Sequence, residues 1–133
     1  SNTGYSSFAA CSTSESFLEH LNAVNDDFFV ACLDIGHAEM KGSGSGAANM
    51  IRALGPKLQA LHIHDNNLRH DSHQIPFSMS IDFTAVMEAL KQIGYSGWLT
   101  LEADTYLRKY ETKHVFAGVQ KLAESATRLA QMF

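Results

Sequence analysis

Five of the chain's 7 histidines, His37, His62, His64, His70 and His73, fall within a stretch of 37 residues. Imidazole titrates near neutrality and is a common metal ligand, so this clustering is the first sign of chemistry. Acids stand among them, in Asp34-Ile35-Gly36-His37, His62-Ile63-His64-Asp65 and His70-Asp71-Ser72-His73, with Glu102 further on. Aspartate, histidine and glutamate together make a mixed nitrogen and oxygen donor set. Such a set suits Mn²⁺, Mg²⁺, Zn²⁺ or Fe²⁺ better than the thiolate-rich sites of structural zinc. Asp71 and His73 are two apart, so in an extended segment both point the same way and reach one ion. His62, in its alternation with His64, is expected on the opposite side of its strand and away from that ion. Each residue also has a plain structural reading. His64 can be a satisfied core histidine, Asp34 a cap on the next turn, and Glu102 a partner of Arg108 or Lys109.

What joins these residues is the elements that carry them. Phe28-Phe29-Val30-Ala31-Cys32-Leu33 is a continuous apolar run of strand length, as in a parallel strand buried on both faces. Leu58 to Ile63 reads as a second buried strand and Trp98-Leu99-Thr100-Leu101 as a third. Between them lie helical patterns. One carries Phe17, Leu18, Leu21 and Val24, after a lead-in (Ser12, Thr13, Ser14) that supplies an N-cap. Another covers Ala47 to Leu54 and stops at Gly55-Pro56; a third, capped by Asp82, runs through Phe83, Val86, Met87, Leu90 and Ile93 to Gly94. The last helix has the stripe Val115, Phe116, Val119, Leu122, Ala123, Ala126, Leu129 and Ala130. A flexible Gly42-Ser43-Gly44-Ser45-Gly46 segment and a polar loop from Asp65 to about Ser80 complete the order. Helices alternating with strands mean right-handed βα units on a parallel sheet. In such folds functional groups gather at the carboxyl ends of strands, where Asp34, His64 and Glu102 all fall.

With 133 residues, 45% of them hydrophobic, the chain holds one core and not two. A complete (β/α)₈ barrel takes roughly 250 residues, so the expected fold is α/β, with parallel-strand βα units forming half of such a barrel, a single partial domain over 1–133. A formal charge of -4 without any basic block argues against nucleic acid as a partner. No run of 18 apolar residues is present, so no membrane partner is expected. Cys11 and Cys32 lack metal or redox spacing, and Ser1-Asn2-Thr3-Gly4 does not open a signal peptide; the expected location is cytoplasmic.

Cys32-Leu33-Asp34-Ile35-Gly36-His37 resembles the "LDxGH" segment of the xylose isomerase-like sugar phosphate isomerase/epimerase superfamily. Leu61-His62-Ile63-His64-Asp65-Asn66, Asp71-Ser72-His73, Pro76 and Ile81-Asp82-Phe83 also resemble it. Ile93-Gly94-Tyr95-Ser96-Gly97-Trp98-Leu99-Thr100-Leu101-Glu102 is similar to the family's closing "IGYxGxxxxE" strand. The resemblance covers about Ser14 to Glu102 and the terminal helix. It implies the last three strands, in the C-terminal half of a TIM barrel. It further implies Asp34, His64 and Glu102 as three ligands of one divalent metal (Mn, Mg, Zn or Co), and His37 and His62 as substrate contacts. Glu102 becomes one of two carboxylates that move a proton beside a sugar carbonyl. In the endonuclease IV branch His37, Asp71 and His73 would instead hold an additional zinc.

Two positions depart from the family pattern. Its fourth ligand is a glutamate commonly followed by Asn, whereas Ser1 precedes Asn2 here. Its usual glycine before "IDF" is replaced by Phe77-Ser78-Met79-Ser80. The expected activity is therefore that of a C-terminal piece of a sugar or sugar phosphate isomerase or epimerase, inactive in isolation. The alternatives are an endonuclease IV-like zinc phosphodiesterase and a non-catalytic half-barrel module. Open sheet edges lead us to expect a homo-oligomer.

Overall fold

The computed structural model describes residues 10–40 and 46–133. The Gly42–Gly46 segment, expected to be a flexible loop, thus lies outside the described residues except for Gly46. Helix α1 (Ser14–Val24) starts where Thr13 accepts a hydrogen bond from the Ser16 N–H, and ends at Asn25 in the left-handed region. Strand β1 (Ala31–Asp34) leads directly into the short helix α2 (Ile35–Glu39), capped by Asp34 itself. Helix α3 (Ala47–Leu54) stops at Gly55, whose φ of 50° is accessible to glycine, and a Gly55–Lys57 turn enters β2 (Leu58–His62). Helix α4 (Phe83–Gln92) is capped by Asp82, helix α5 (Asp104–Leu107) is one turn, and α6 (Val115–Ala130) closes the chain.

β1 and β2 pair in parallel, with Cys32 opposite Ala60, Leu33 opposite Leu61 and Asp34 opposite His62. The expected third strand is reduced to a single parallel bridge. The Ile63 N–H donates to Thr100 O and the Glu102 N–H donates to Ile63 O, both at 2.8 Å. Trp98, expected inside that strand, is 87% exposed, because nothing packs on it.

The sheet is covered on one face only, which corrects the expectation of strands buried on both. Ala31, Leu33, Leu61 and Ile63 point into the helical layer and are buried among Met50, Ile51, Leu54, Val86, Met87 and Leu90. Cys32, Ala60 and His62 alternate with them and are exposed. Phe28 and Phe29 do not belong to the strand at all. The Asp26 carboxylate and carbonyl accept their N–H groups, making a turn that leaves Phe28 97% exposed. The apolar stripe of α6 is likewise split. Leu129 is buried with Gly118 and Ser125, while Phe116 and Val119 face outward, since only half the stripe meets the core.

Loop 65–82 is fastened from within. The buried Asp65 carboxylate accepts the N–H groups of Asn66 (2.8 Å), Met79 (2.8 Å) and Ile81 (3.1 Å). Asn66 Nδ2 donates to Gly36 O at 2.9 Å, tying the loop to α2. Within Phe77–Ser80, the stretch in which the resemblance leads one to expect a glycine, Phe77 adopts φ 70°. That conformation costs an L-residue about 1–2 kcal/mol. Contacts of the Phe77 ring with Phe83 (5.3 Å between centroids) and with the Arg128 guanidinium at 3.8 Å offset it.

Candidate metal centre

Asp34 ends β1 and begins α2, and both of its oxygens are committed. Oδ1 accepts the His37 N–H at 2.9 Å, which is the cap, and Oδ2 lies 3.0 Å from His37 Nδ1. Oδ1 also faces His64 Nε2 at 3.0 Å. Burial is the largest influence on the Asp34 carboxyl and pushes its pKa up. The His64 ring, the His37 N–H and the two imidazole charges together outweigh it and hold the pKa below the usual value.

His64 is fully buried, yet neither of its ring nitrogens has a hydrogen-bond partner among the described residues. The 3.0 Å approach to Asp34 is close enough for an ion pair but lacks hydrogen-bonding alignment. A buried polar atom without a partner is costly, and native structures rarely keep one without reason. An ion resolves the conflict, because two adjacent ligands of an octahedral ion with bonds of about 2.1 Å stand about 3.0 Å apart. Asp34, His64 and Glu102 each place one donor atom within 4.8 Å of the others. Ligands sharing an ion with bonds of about 2.0–2.2 Å are at most about 4.4 Å apart, so a few tenths of an ångström complete the set. The residues fit a divalent ion.

A second group of donors, His37, His64, Asp71 and His73, also falls within 4.8 Å. Its members bridge the Asp71 carboxylate, with His37 Nε2 3.1 Å from Oδ2 and His73 Nε2 3.0 Å from Oδ1. The His64 and His73 rings are parallel within 7° and 4.0 Å apart. Imidazole lone pairs lie in the ring plane, so one ion cannot be in the plane of both rings. That leaves His37, Asp71 and His73 as the coherent second set. His73 Nδ1–H donates to Glu102 O at 2.9 Å, which directs Nε2 towards Asp71. Burial, the largest influence on His73, lowers its pKa. The Glu102 carbonyl and the charges of Asp71, Glu102 and Asp104 raise it further than that, and the net shift is upward. Asp71 is held below the usual carboxylate range, where burial raises its pKa but His37, His73 and His64 lower it more.

His62 corrects the sequence reading. Residues two apart on a strand share a face, so His62 points to the same side as His64. Its Nδ1 lies 3.1 Å from Glu102 Oε2. His70 instead turns to Asn67 at 3.0 Å and takes no part in either group. Glu102 does not pair with Arg108, which reaches Asp104 at 3.3 Å. Asp104, passed over in the sequence, has its carboxylate 3.4 Å from His73 Nδ1. Its position two residues beyond Glu102 was the available signal. Gly36 was passed over as well. A Cβ there would lie 2.0 to 2.4 Å from three atoms of the His64 ring.

The family model described as the xylose isomerase-like TIM barrel matches residues 2–130. An uncharacterised protein of Methanocaldococcus jannaschii is 33% identical over 90 residues, covering 68% of this chain and 31% of that protein. The inosose dehydratase of Yersinia enterocolitica is 24% identical over 110 residues, covering 69% of this chain and 37% of the enzyme. The solved D-allulose 3-epimerase of Methylomonas sp. matches with a TM-score of 0.60 at 28% identity, over 70% of this chain and 30% of its own. A D-tagatose 3-epimerase-like protein matches with a TM-score of 0.63 at 26% identity, over 90% and 43%. This chain thus spans about a third of the length of these curated relatives. No helix among the described residues is long and apolar enough to cross a membrane. With its parallel β1–β2 pair and a family match running almost end to end, the chain belongs to the xylose isomerase-like TIM barrel family.

Proposed function

We propose that this chain is the C-terminal, metal-bearing part of a divalent-metal-dependent sugar or sugar phosphate isomerase or epimerase, acting in the cytoplasm. The observation that supports it most is His64, buried, without a hydrogen bond on either nitrogen, and facing Asp34 at 3.0 Å. A divalent ion held there would supply Lewis-acid polarisation of a carbonyl and stabilise negative charge. Asp34, His64 and Glu102 would hold that ion at the strand ends. Glu102, only partly buried, would take a proton from the carbon beside the carbonyl. His37 and His62 line the same open side, where sugar hydroxyls would lie. The opposite face of the reacting carbon needs a second acid–base group. This reading assigns that group to the rest of the barrel, so the 133-residue chain alone should turn over little or no ketose. Sugar epimerases and a dehydratase among its relatives support a sugar as substrate.

A second reading, a multi-zinc phosphodiesterase, is favoured by the His37, Asp71 and His73 group. The net charge of -4 weighs against it, since a nucleic-acid groove is basic. Titration calorimetry with Mn²⁺ and Zn²⁺ decides between them. One bound ion per chain is expected; two or three would shift the assignment to the phosphodiesterase, and none would leave a non-catalytic module.

A further inference from the structure

We infer that His62 is a positioning residue for Glu102, fixing one carboxylate oxygen so that the other is turned to the ion; this rests on the metal reading above. The β1–β2 register sets Asp34 opposite His62, and the Glu102 N–H bond to Ile63 O sets Glu102 on the other flank of β2. Asp34 and His62 therefore form one row, and His64 and Glu102, level with each other because Leu101 pairs with Ile63, form the next row along the same face, so that His62 and Glu102 are diagonal neighbours.

The other donors are held by their surroundings. Asp34 is tied to the His37 N–H, and His64 is enclosed. The Glu102 side chain is different, being 41% exposed on the open face of the sheet. Among the described residues, its carboxylate has only His62 Nδ1, at 3.1 Å from Oε2, as an ion-pair partner. Both groups are about half exposed, and such a pair adds little to folding stability. Its effect falls instead on the rotamer of Glu102. A free carboxylate must be ordered when it ligates, whereas one already held loses less, and partners of this kind set metal affinity.

The test is Mn²⁺ titration of the 133-residue chain and two variants, without any sugar present. Leaving out sugar ensures that a role confined to substrate contact moves nothing. His62→Phe keeps bulk and removes the donor. The expected result is a Kd for Mn²⁺ raised by roughly 10- to 100-fold. His62→Asn keeps an N–H near the Nδ1 position and should recover most of the loss, a rescue that a merely structural role would not show. Circular dichroism checks that both variants fold. A wild-type chain that binds Mn²⁺ while His62→Phe binds it equally well overturns this inference alone, as does equal weakening in both variants. A wild-type chain that takes up no ion overturns the metal reading and this inference together.

Discussion

Replacing Gly36 by alanine tests the centre through one methyl group. The added Cβ would meet His64 Cε1 at 2.0 Å, Nε2 at 2.3 Å and Nδ1 at 2.4 Å, where ordinary contact begins near 3.4 Å. All three distances are short, so the methyl would press on the face of the ring. The other face is stacked 4.0 Å from the His73 ring, a gap too narrow to hold the Gly36 backbone, so the two neighbours lie on opposite sides. His64 is fully buried and has no free direction. Relief requires a displacement of about 1 Å or more, well beyond the roughly 0.2 Å that metal–ligand distances tolerate. Metal affinity should then fall at least about 100-fold, at the upper limit of what loss of an outer-shell partner causes. For stability two terms compete. Gly36 lies in α2 without a positive φ, so alanine gains about 0.5–1 kcal/mol of helix preference. Overpacking costs about 1–3 kcal/mol, and should win by about 1–2. The assays are Mn²⁺ titration and urea unfolding of Gly36→Ala, His64→Ala and the double variant. In the His64→Ala background the methyl has room, and its cost should vanish or change sign. A Gly36→Ala protein with wild-type affinity and equal or higher stability would refute the packing argument.

Asp65→Ala should cost stability, because it strands two buried N–H groups, those of Asn66 and Ile81, at about 1–3 kcal/mol each, and a part-buried third, that of Met79. Urea unfolding should show a loss of about 2–6 kcal/mol, and a loss below about 1 kcal/mol would show that loop 65–82 is held otherwise. Self-association is also expected, from the open sheet face with Cys32 and Ala60 and from Phe28 and Trp98, which are 97% and 87% exposed. Sedimentation equilibrium at micromolar concentration should give species heavier than 14.6 kDa, and a single species of that mass would refute it.

The sequence was most legible where a local rule decides the outcome. Helix α3 begins and ends at the expected Ala47 and Leu54, because Gly55 and Pro56 stop any helix. Thr13 and Asp82 cap α1 and α4 as expected, because a short polar side chain before an apolar stripe has one good use. Asp34 ends β1 as element order leads one to expect, whereas His64 lies two residues past the end of β2 and Glu102 follows a single bridge in place of a third strand. Legibility failed where a partner decides. Helices α2 and α5 have five and four residues, too few to show a period. An apolar run such as Phe28–Leu33 looks the same whether one face or both are covered. The pairing of His62 with Glu102 differs in kind, since it follows from the period of two, which puts His62 on the face of His64 and not on the opposite one.

These local rules also account for how firmly each donor is held. Asp34 cannot swing away from the proposed ion position without uncapping α2, because the oxygen facing His64 is the one that accepts the His37 N–H. His64 cannot turn without opening the core against Gly36 or breaking its stack on His73. Both are thus preorganised by groups whose first role is to fold the chain. Glu102 has its backbone fixed by Ile63, but its carboxylate stands at an exposed sheet face with His62 as partner. The least constrained donor is also the one to which the proposed function gives two tasks, moving a proton and holding an ion. A carboxylate locked as tightly as Asp34 would bind the ion well and reach the substrate poorly. The single contact of Glu102 with an exposed histidine is a looser hold than the helix cap that fixes Asp34.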